Sequence, residues 1–368
     1  MAVVLGLSMW SSVILVAPAR SVASQARAED AYLATLAGQL RAIHLPDGRA
    51  LWQSSLPSSF KTPLSLSIPR LEQLGYVLAE SRHNGDAALV PFSLQSGKLG
   101  RPIEVGLPGA VAIAPDGRMA WVANSGNLEG LPGPTGTTVT PVNLRTRQRL
   151  RPIPVGGQPG GIALTPDGAR LLVTLVDRQS VVPISTTGGR VGAPIPLPTS
   201  SPSSVPQRET DPGPIIIDEP EGVAFVGNLQ EDLVFPADVT NVINLKTLRA
   251  EPPISMGPFA DSAQALVATP DGRSVFSMSY LGLLRINVAA RRADLAIPNS
   301  YLVSAMAIDN HNLYVSQELY SPPNLTDSQP KTPGYALVPI NLSSMAPGPA
   351  VTTTATLTTA IALHWTGT

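Results

Sequence analysis

The side chains able to do chemistry are few and scattered. The chain of 368 residues has no cysteine and four histidines, His44, His83, His311 and His364. Without cysteine there can be no disulfide, thiolate nucleophile or thiolate-held metal. Only His83 has ionisable company close by in sequence, with Glu80 and Arg82 just before it. A histidine beside a carboxylate can serve as a general base, although a solvated loop histidine is the plainer reading of the same residues. A second set is made of oxygen donors, Glu80, Asn124, Asp177, Asn228, Gln317 and Glu318, with Tyr280 among them. These lie far apart along the chain, so only a fold can gather them. No Gly-x-Ser-x-Gly elbow or His-x-x-x-His pair occurs to mark a serine hydrolase or a helical metal site. The stretch Gly156-Gly157-Gln158-Pro159-Gly160-Gly161 is glycine-rich, but no helical pattern follows that could receive a phosphate. Asn324-Leu325-Thr326 matches a glycosylation sequon by pattern only.

What positions these residues must be read from the rest of the chain. Charged residues make up 14% and the formal net charge is −1, which excludes the strongly basic footprint of a nucleic-acid binder. Hydrophobic residues make up 43%, ample for a large core, and the 38 prolines and 31 glycines punctuate short apolar runs. That is the pattern of an all-β chain with many turns. Ala2 to Ala17 carries no charge, and small-x-small sites follow at Ala17-Pro18-Ala19 and Ala26-Arg27-Ala28. Residues 1–28 therefore read as a secretory leader, with an uncleaved membrane anchor as the alternative, ahead of one domain over 29–368. The expected location is extracytoplasmic, secreted or attached to the cell envelope, with no transmembrane segment after the leader.

The organising signal is a repeat. Val111 to Gly117, Ile162 to Gly168 and Ala265 to Gly272 each run a short apolar strand into Pro-Asp-Gly, and Ile215 to Gly222 does so into Pro-Glu-Gly. Their prolines stand at 115, 166, 220 and 270, spaced by 51, 54 and 50 residues. Proline sets φ at the first corner of such a turn and glycine supplies the positive φ. Each turn leads to a second strand, and two more complete a unit of about fifty residues, a period that marks a repeat architecture. Strands are lettered A to D from the axis outward. Six units are complete, the first from Leu64, then from near Gly109, Gly160, Pro214, Ser262 and Leu302. Ala31 to Leu36, Gln39 to Leu45 and Ala50 to Leu56 are strands B, C and D without an A, and Thr359 to His364 is an A strand without partners. Joined, they make a seventh sheet. The expected fold is a seven-bladed β-propeller of four-stranded antiparallel blades, with the C-terminal strand completing the N-terminal blade and removing the open edges.

The B strands carry a resemblance. Trp121-Val122-Ala123-Asn124, Phe225-Val226-Gly227-Asn228 and Tyr314-Val315-Ser316-Gln317 resemble the Tyr-Val-Thr-Asn (YVTN) propeller repeat, and Thr138 to Leu144 is similar to that family's third strand. Leu172 to Leu175 and Val275 to Met278 depart from it by lacking the asparagine. The resemblance implies a surface or secreted protein, and the wider grouping is similar to propeller lactonases. Calcium-dependent lactonases of that kind gather carboxylates and amides at the axial mouth. On this resemblance Glu80, Asn124, Asp177 and Asn228 are candidate ligands of Ca²⁺, which prefers oxygen donors. Strand-end Asn and Asp that bond neighbouring backbone are the alternative.

The two ends of such a disc differ. The A–B and C–D turns are tight, while the long connections, Ser125 to Gly136, Thr199 to Gly213, Leu229 to Thr240 and Glu318 to Pro333, fall on the opposite end. Long loops on a rigid scaffold are where function usually sits. The loop face collects carboxylates such as Glu80, Asp177 and Glu318, and the tight-turn face collects Arg and Lys. Such a polarised disc would orient against an anionic surface, or else the basic turns serve solubility alone. Strand ends at the loop-face mouth bring Glu80, Arg82, His83, Asn124, Asp177, Asn228, Tyr280, Gln317 and Glu318 to one ring of positions. His44, His311 and His364 are expected to lie apart from one another. The function read from these features is a binding scaffold that engages protein, peptide or glycan through the loop face, with no catalytic residue assigned. The alternative is a lactonase-like or lyase-like enzyme with its site in the axial mouth.

Overall fold

A computed structural model describes residues 29–45, 47–69, 73–81, 85–126, 134–198, 211–229, 239–256, 263, 265–279, 282–298, 303–319, 334–354 and 357–364. Residues 1–28, read from the sequence as a leader or an anchor, lie outside them. The described residues form seven antiparallel sheets in A-B-C-D order and a single 3₁₀ turn. The chain is a seven-bladed β-propeller.

The A strands are Thr358–His364 in blade one, then Thr62–Ser67, Gly109–Ile113, Pro159–Leu164, Asp211–Asp218, Ala265–Ala268 and Val303–Ile308 in blades two to seven. Each packs against the A strand of the next blade, and the last packs against the first, so they line one closed axis. Closure is made by pairing Thr358–His364 with strand B of blade one, Asp30–Thr35. The register runs Asp30 to His364, Tyr32 to Ala362 and Leu33 to Ile361.

The repeat turns adopt the conformation their residues demand. Gly117, Gly168 and Gly272 have φ of 67°, 67° and 70°, the left-handed region that glycine enters without steric cost. The Asp before each glycine accepts a hydrogen bond from the backbone N–H two residues on, Asp116 from Arg118, Asp167 from Ala169 and Asp271 from Arg273, all at 3.0 Å. These carboxylates are therefore committed to their turns.

Between the blades, the described apolar side chains gather into seven clusters, one for each neighbouring pair. Tyr32, Leu40, Val77 and Phe92 join blades one and two, while Leu33, Ile43, Ala305 and Ile361 join blades seven and one. Alternate residues of every strand thus face opposite neighbours. Each fully buried Leu, Ile, Val or Phe among them contributes about 1.5–3 kcal/mol. Among the described residues no single central core forms, and the closing blade packs against both its neighbours as the other blades do. The outer strands are weaker. Strand D of blade three is two short pieces, Gln148–Arg149 and Ile153–Pro154, and that of blade four is only Ile195–Pro196. Pro152 and Pro154, like Pro194 and Pro196, have no N–H for the ladder and belong on an edge.

Candidate functional site

Strand B of each blade runs from the tight-turn face to the loop face, so its last residues border the loop-face mouth. Glu80 ends strand B of blade two, Leu74–Glu80, opposite Thr62 and Ala87. It is half-buried, and burial raises its carboxyl above the usual range. Asn124, in strand B of blade three (Met119–Gly126), is 4% exposed. Its Nδ2 donates to the carbonyls of Val105 and Leu107 at 3.0 and 2.9 Å. Its Oδ1 accepts from the hydroxyls of Thr140 and Thr138 at 2.5 and 3.4 Å. Two donors and two lone pairs are all a primary amide has. Asn124 is a staple that holds the blade-two to blade-three corner.

Asp177 lies in the 3₁₀ turn Val176–Arg178, which joins strands B and C of blade four. Its Oδ1 accepts the backbone N–H of Gln158 at 2.7 Å, and its Oδ2 stands 3.5 Å from Arg178 Nε. Gln158 in turn donates through Nε2 to Ser125 O at 3.0 Å. The glycine-rich corner 156–161 is thus held by side chains and is a blade junction, as the absence of a following helix implies.

Asn228, in strand B of blade five (Val223–Leu229), is 2% exposed and donates through Nδ2 to Val239 O at 2.8 Å, while its Oδ1 is buried without a partner. The register places Asn241 of strand C opposite Val226, on the same face and one step away. Asn241 is fully buried, and neither of its side-chain polar atoms has a partner. Sequence reasoning passed over Asn241. Its signal was an amide in Val239-Thr240-Asn241-Val242-Ile243, where alternation demands an inward apolar residue. Buried polar atoms left unpaired each cost about 1–3 kcal/mol, so Asn228 and Asn241 make a polar break in the apolar packing between blades four and five.

The remaining mouth residues are less well tied together. Gln317 sits in strand B of blade seven (Asn312–Leu319), paired with Val303 and Ala336, and the backbone of Glu318 pairs with Tyr335. Arg82, His83 and Tyr280 lie outside the described residues. Among the described residues no three His, Asp or Glu groups form a cluster able to hold a metal ion. Calcium takes about six to eight oxygens. Both lone pairs of the Asn124 carbonyl and one oxygen of Asp177 are already engaged, so these two of the four candidate ligands have little left to offer it.

The histidines give a correction. His44 and His364 were expected to lie apart, yet both flank Asp30, which pairs with His44 across one ladder and with His364 across the other. His44 Nδ1 is 3.2 Å from Asp30 Oδ1. His364 packs edge-on to Tyr32 at 6.4 Å between ring centres, and burial holds it below the usual histidine range. The group forms because closing the ring brings the last strand beside the first, and the register of that pairing sets His364 opposite Asp30. It sits on the tight-turn face, away from the mouth.

That same face holds a buried carboxyl. Asp218 ends strand A of blade five, is 1% exposed, and has an Oδ2 with no partner. Burial, followed by repulsion from Glu221 and Asp271, pushes it up to about 7, against the pull of the Glu221 N–H.

No protein-family model matches the chain, and no curated protein sequence does. Solved structures do. One match is a functionally unknown protein from Desulfotomaculum acetoxidans DSM 771, covering 91% of this chain and 98% of that one at 15% identity, with a TM-score of 0.64. Another is Kuenenia stuttgartiensis hydrazine synthase, at 19% identity and a TM-score of 0.49, covering 64% of this chain and 63% of that one. At these identities the likeness is one of fold alone.

Proposed function

We propose that this propeller is an extracytoplasmic binding scaffold of the YVTN-repeat type, which engages a protein, peptide or glycan through its loop face. The observation that carries the reading is the inequality of the two ends. The intervals between Gly126 and Thr135, Pro196 and Asp211, Leu229 and Val239, and Leu319 and Gly334 all fall on the loop face. On the opposite end, Pro-Asp-Gly turns separate paired strands by a few residues. A rigid ring with variable connections on one end is a frame for recognition. Asn124 and Asp177, two of the mouth residues, are engaged in holding corners together, which supports binding over catalysis.

The test is to replace each of the four intervals by a short Gly-Ser link and probe a glycan array and cell-envelope extracts. A specific partner should be lost on replacement while the thermal midpoint holds. Retention of that partner after all four replacements would overturn the reading. One observation favours the second reading, a lactonase-like or lyase-like enzyme: Glu80 is half-buried at the mouth with its carboxyl raised, as a general acid requires. Turnover of a lactone panel, lost in Glu80→Gln, would decide for it.

A further inference from the structure

The basic charge of the tight-turn face is unevenly distributed. In blades five and six, Arg273, Arg291 and Arg292 stand 3.7, 3.0 and 2.7 Å from Asp271, Glu251 and Asp294. Blade three is different. Its Arg118 pairs with Asp116 at 3.8 Å, but Arg145, Arg147, Arg149 and Arg151 alternate along its C–D turn and outer strand, all four are exposed, and among the described residues none has an ion-pair partner. The turn that carries them is held in place. Asn143 Oδ1 accepts the N–H of Thr146 at 2.9 Å, and Leu150 N donates to Pro141 O at 2.8 Å. The C–D connections of the flanking blades add exposed Arg101 and Arg190, with Glu104 of blade two as a counter-charge. Gly189, beside Arg190, lies against Ile153 of blade three, so these arginines share one stretch of rim.

A charged outer edge guards against strand-to-strand aggregation, but that purpose needs neither four cations in seven residues nor an apolar side chain among them. Leu150, between Arg149 and Arg151, is 42% exposed, more than Leu36 and Leu51, the other exposed large apolar residues among those described. Guanidinium groups hydrogen-bond phosphate in pairs and are weakly hydrated. Arginines around an apolar tip are the composition of a peripheral membrane contact. We propose that the blade-three rim docks the propeller onto an anionic phospholipid surface, with the four arginines on headgroup phosphates and Leu150 at the acyl boundary.

The test is co-sedimentation of the full-length chain with vesicles of phosphatidylcholine, with and without phosphatidylglycerol. The wild type should pellet with the anionic vesicles and be released as salt rises. The combined variant R145Q/R147Q/R149Q/R151Q should partition roughly tenfold or more weakly. Leu150→Ser should weaken binding with its salt dependence unchanged. Lys246→Gln/Arg249→Gln, a change of equal kind on blade five, should bind as the wild type does. All these side chains are exposed, so thermal midpoints should hold, and the apolar leader is common to every form. Equal binding to neutral and anionic vesicles, or an undiminished quadruple variant, would overturn the proposal. Binding of soluble polyphosphate through the same arginines without vesicle binding would overturn the lipid assignment.

Discussion

Asp218→Asn should make the protein more stable in alkali and leave it unchanged in acid. In the folded chain Asp218 is 1% exposed, its Oδ2 has no partner, and its Oδ1 receives only a long hydrogen bond, 3.4 Å, from the Glu221 N–H. Burial first, then Glu221 and Asp271, raise its pKa from 3.8 to about 7. A carboxyl raised on folding binds its proton more tightly in the native state. The protonated form therefore supports the fold fully below about pH 4, and that support drains away as pH climbs through about 7. From 3.8 to about 7, at 1.36 kcal/mol per pH unit, the loss is about 4 kcal/mol, a ceiling that local relaxation will reduce. Asparagine carries no charge at any of these pH values and keeps an oxygen for the Glu221 N–H. The assay is urea unfolding of both proteins from pH 4.5 to 9. The difference in stability should be small at pH 4.5, grow up to neutrality in favour of Asp218→Asn and level off above it. A difference that stays flat with pH, or a variant weaker than the wild type at pH 9, would refute the argument.

Three further outcomes follow from the same geometry. Asn124→Ala should lower stability by roughly 2–4 kcal/mol in chemical denaturation, because the Val105 and Leu107 carbonyls and the Thr140 hydroxyl each lose a buried partner. Gly168→Ala and Gly272→Ala share positive φ and should each cost about 1–2 kcal/mol for the left-handed backbone. Gly272→Ala should cost more, since its Cβ would come within 2.7 Å of Pro220 Cβ while nothing lies within 4 Å at Gly168, and paired thermal melts would show the gap. His364 is held below its ordinary pKa by burial, so its neutral form is the stabilising one and its contribution falls as pH drops below about 6.5. His364→Phe should therefore gain on the wild type between pH 7.5 and 5.5 in unfolding midpoint, and a constant difference would count against that.

Much of the architecture was legible in local residues. Pro-Asp-Gly at Pro115, Pro166 and Pro270 sets a hairpin through the φ preferences of two residues, and the alternation beside it tells which side chains face a neighbour. The unpartnered strand Thr359 to His364 needed an edge, and only Ala31 to Leu36 offered one, so seven blades and their closure could be counted from the sequence. The candidate site was legible in position but not in role. Glu80, Asn124 and Asp177 do lie at strand ends on the loop face, yet whether an amide or carboxylate is free depends on partners contributed by other strands. Asn124 is consumed by Val105 and Leu107 from the preceding blade, and Asp177 by the corner at Gln158. Asp30 comes between His44 and His364 only when the last strand joins the first, and Asp218 feels Asp271 only because blades five and six pack together. Turn and strand preferences are written in a few adjacent residues. Hydrogen-bond partners and charged neighbours are set by register and inter-blade packing, which no short stretch of the chain contains.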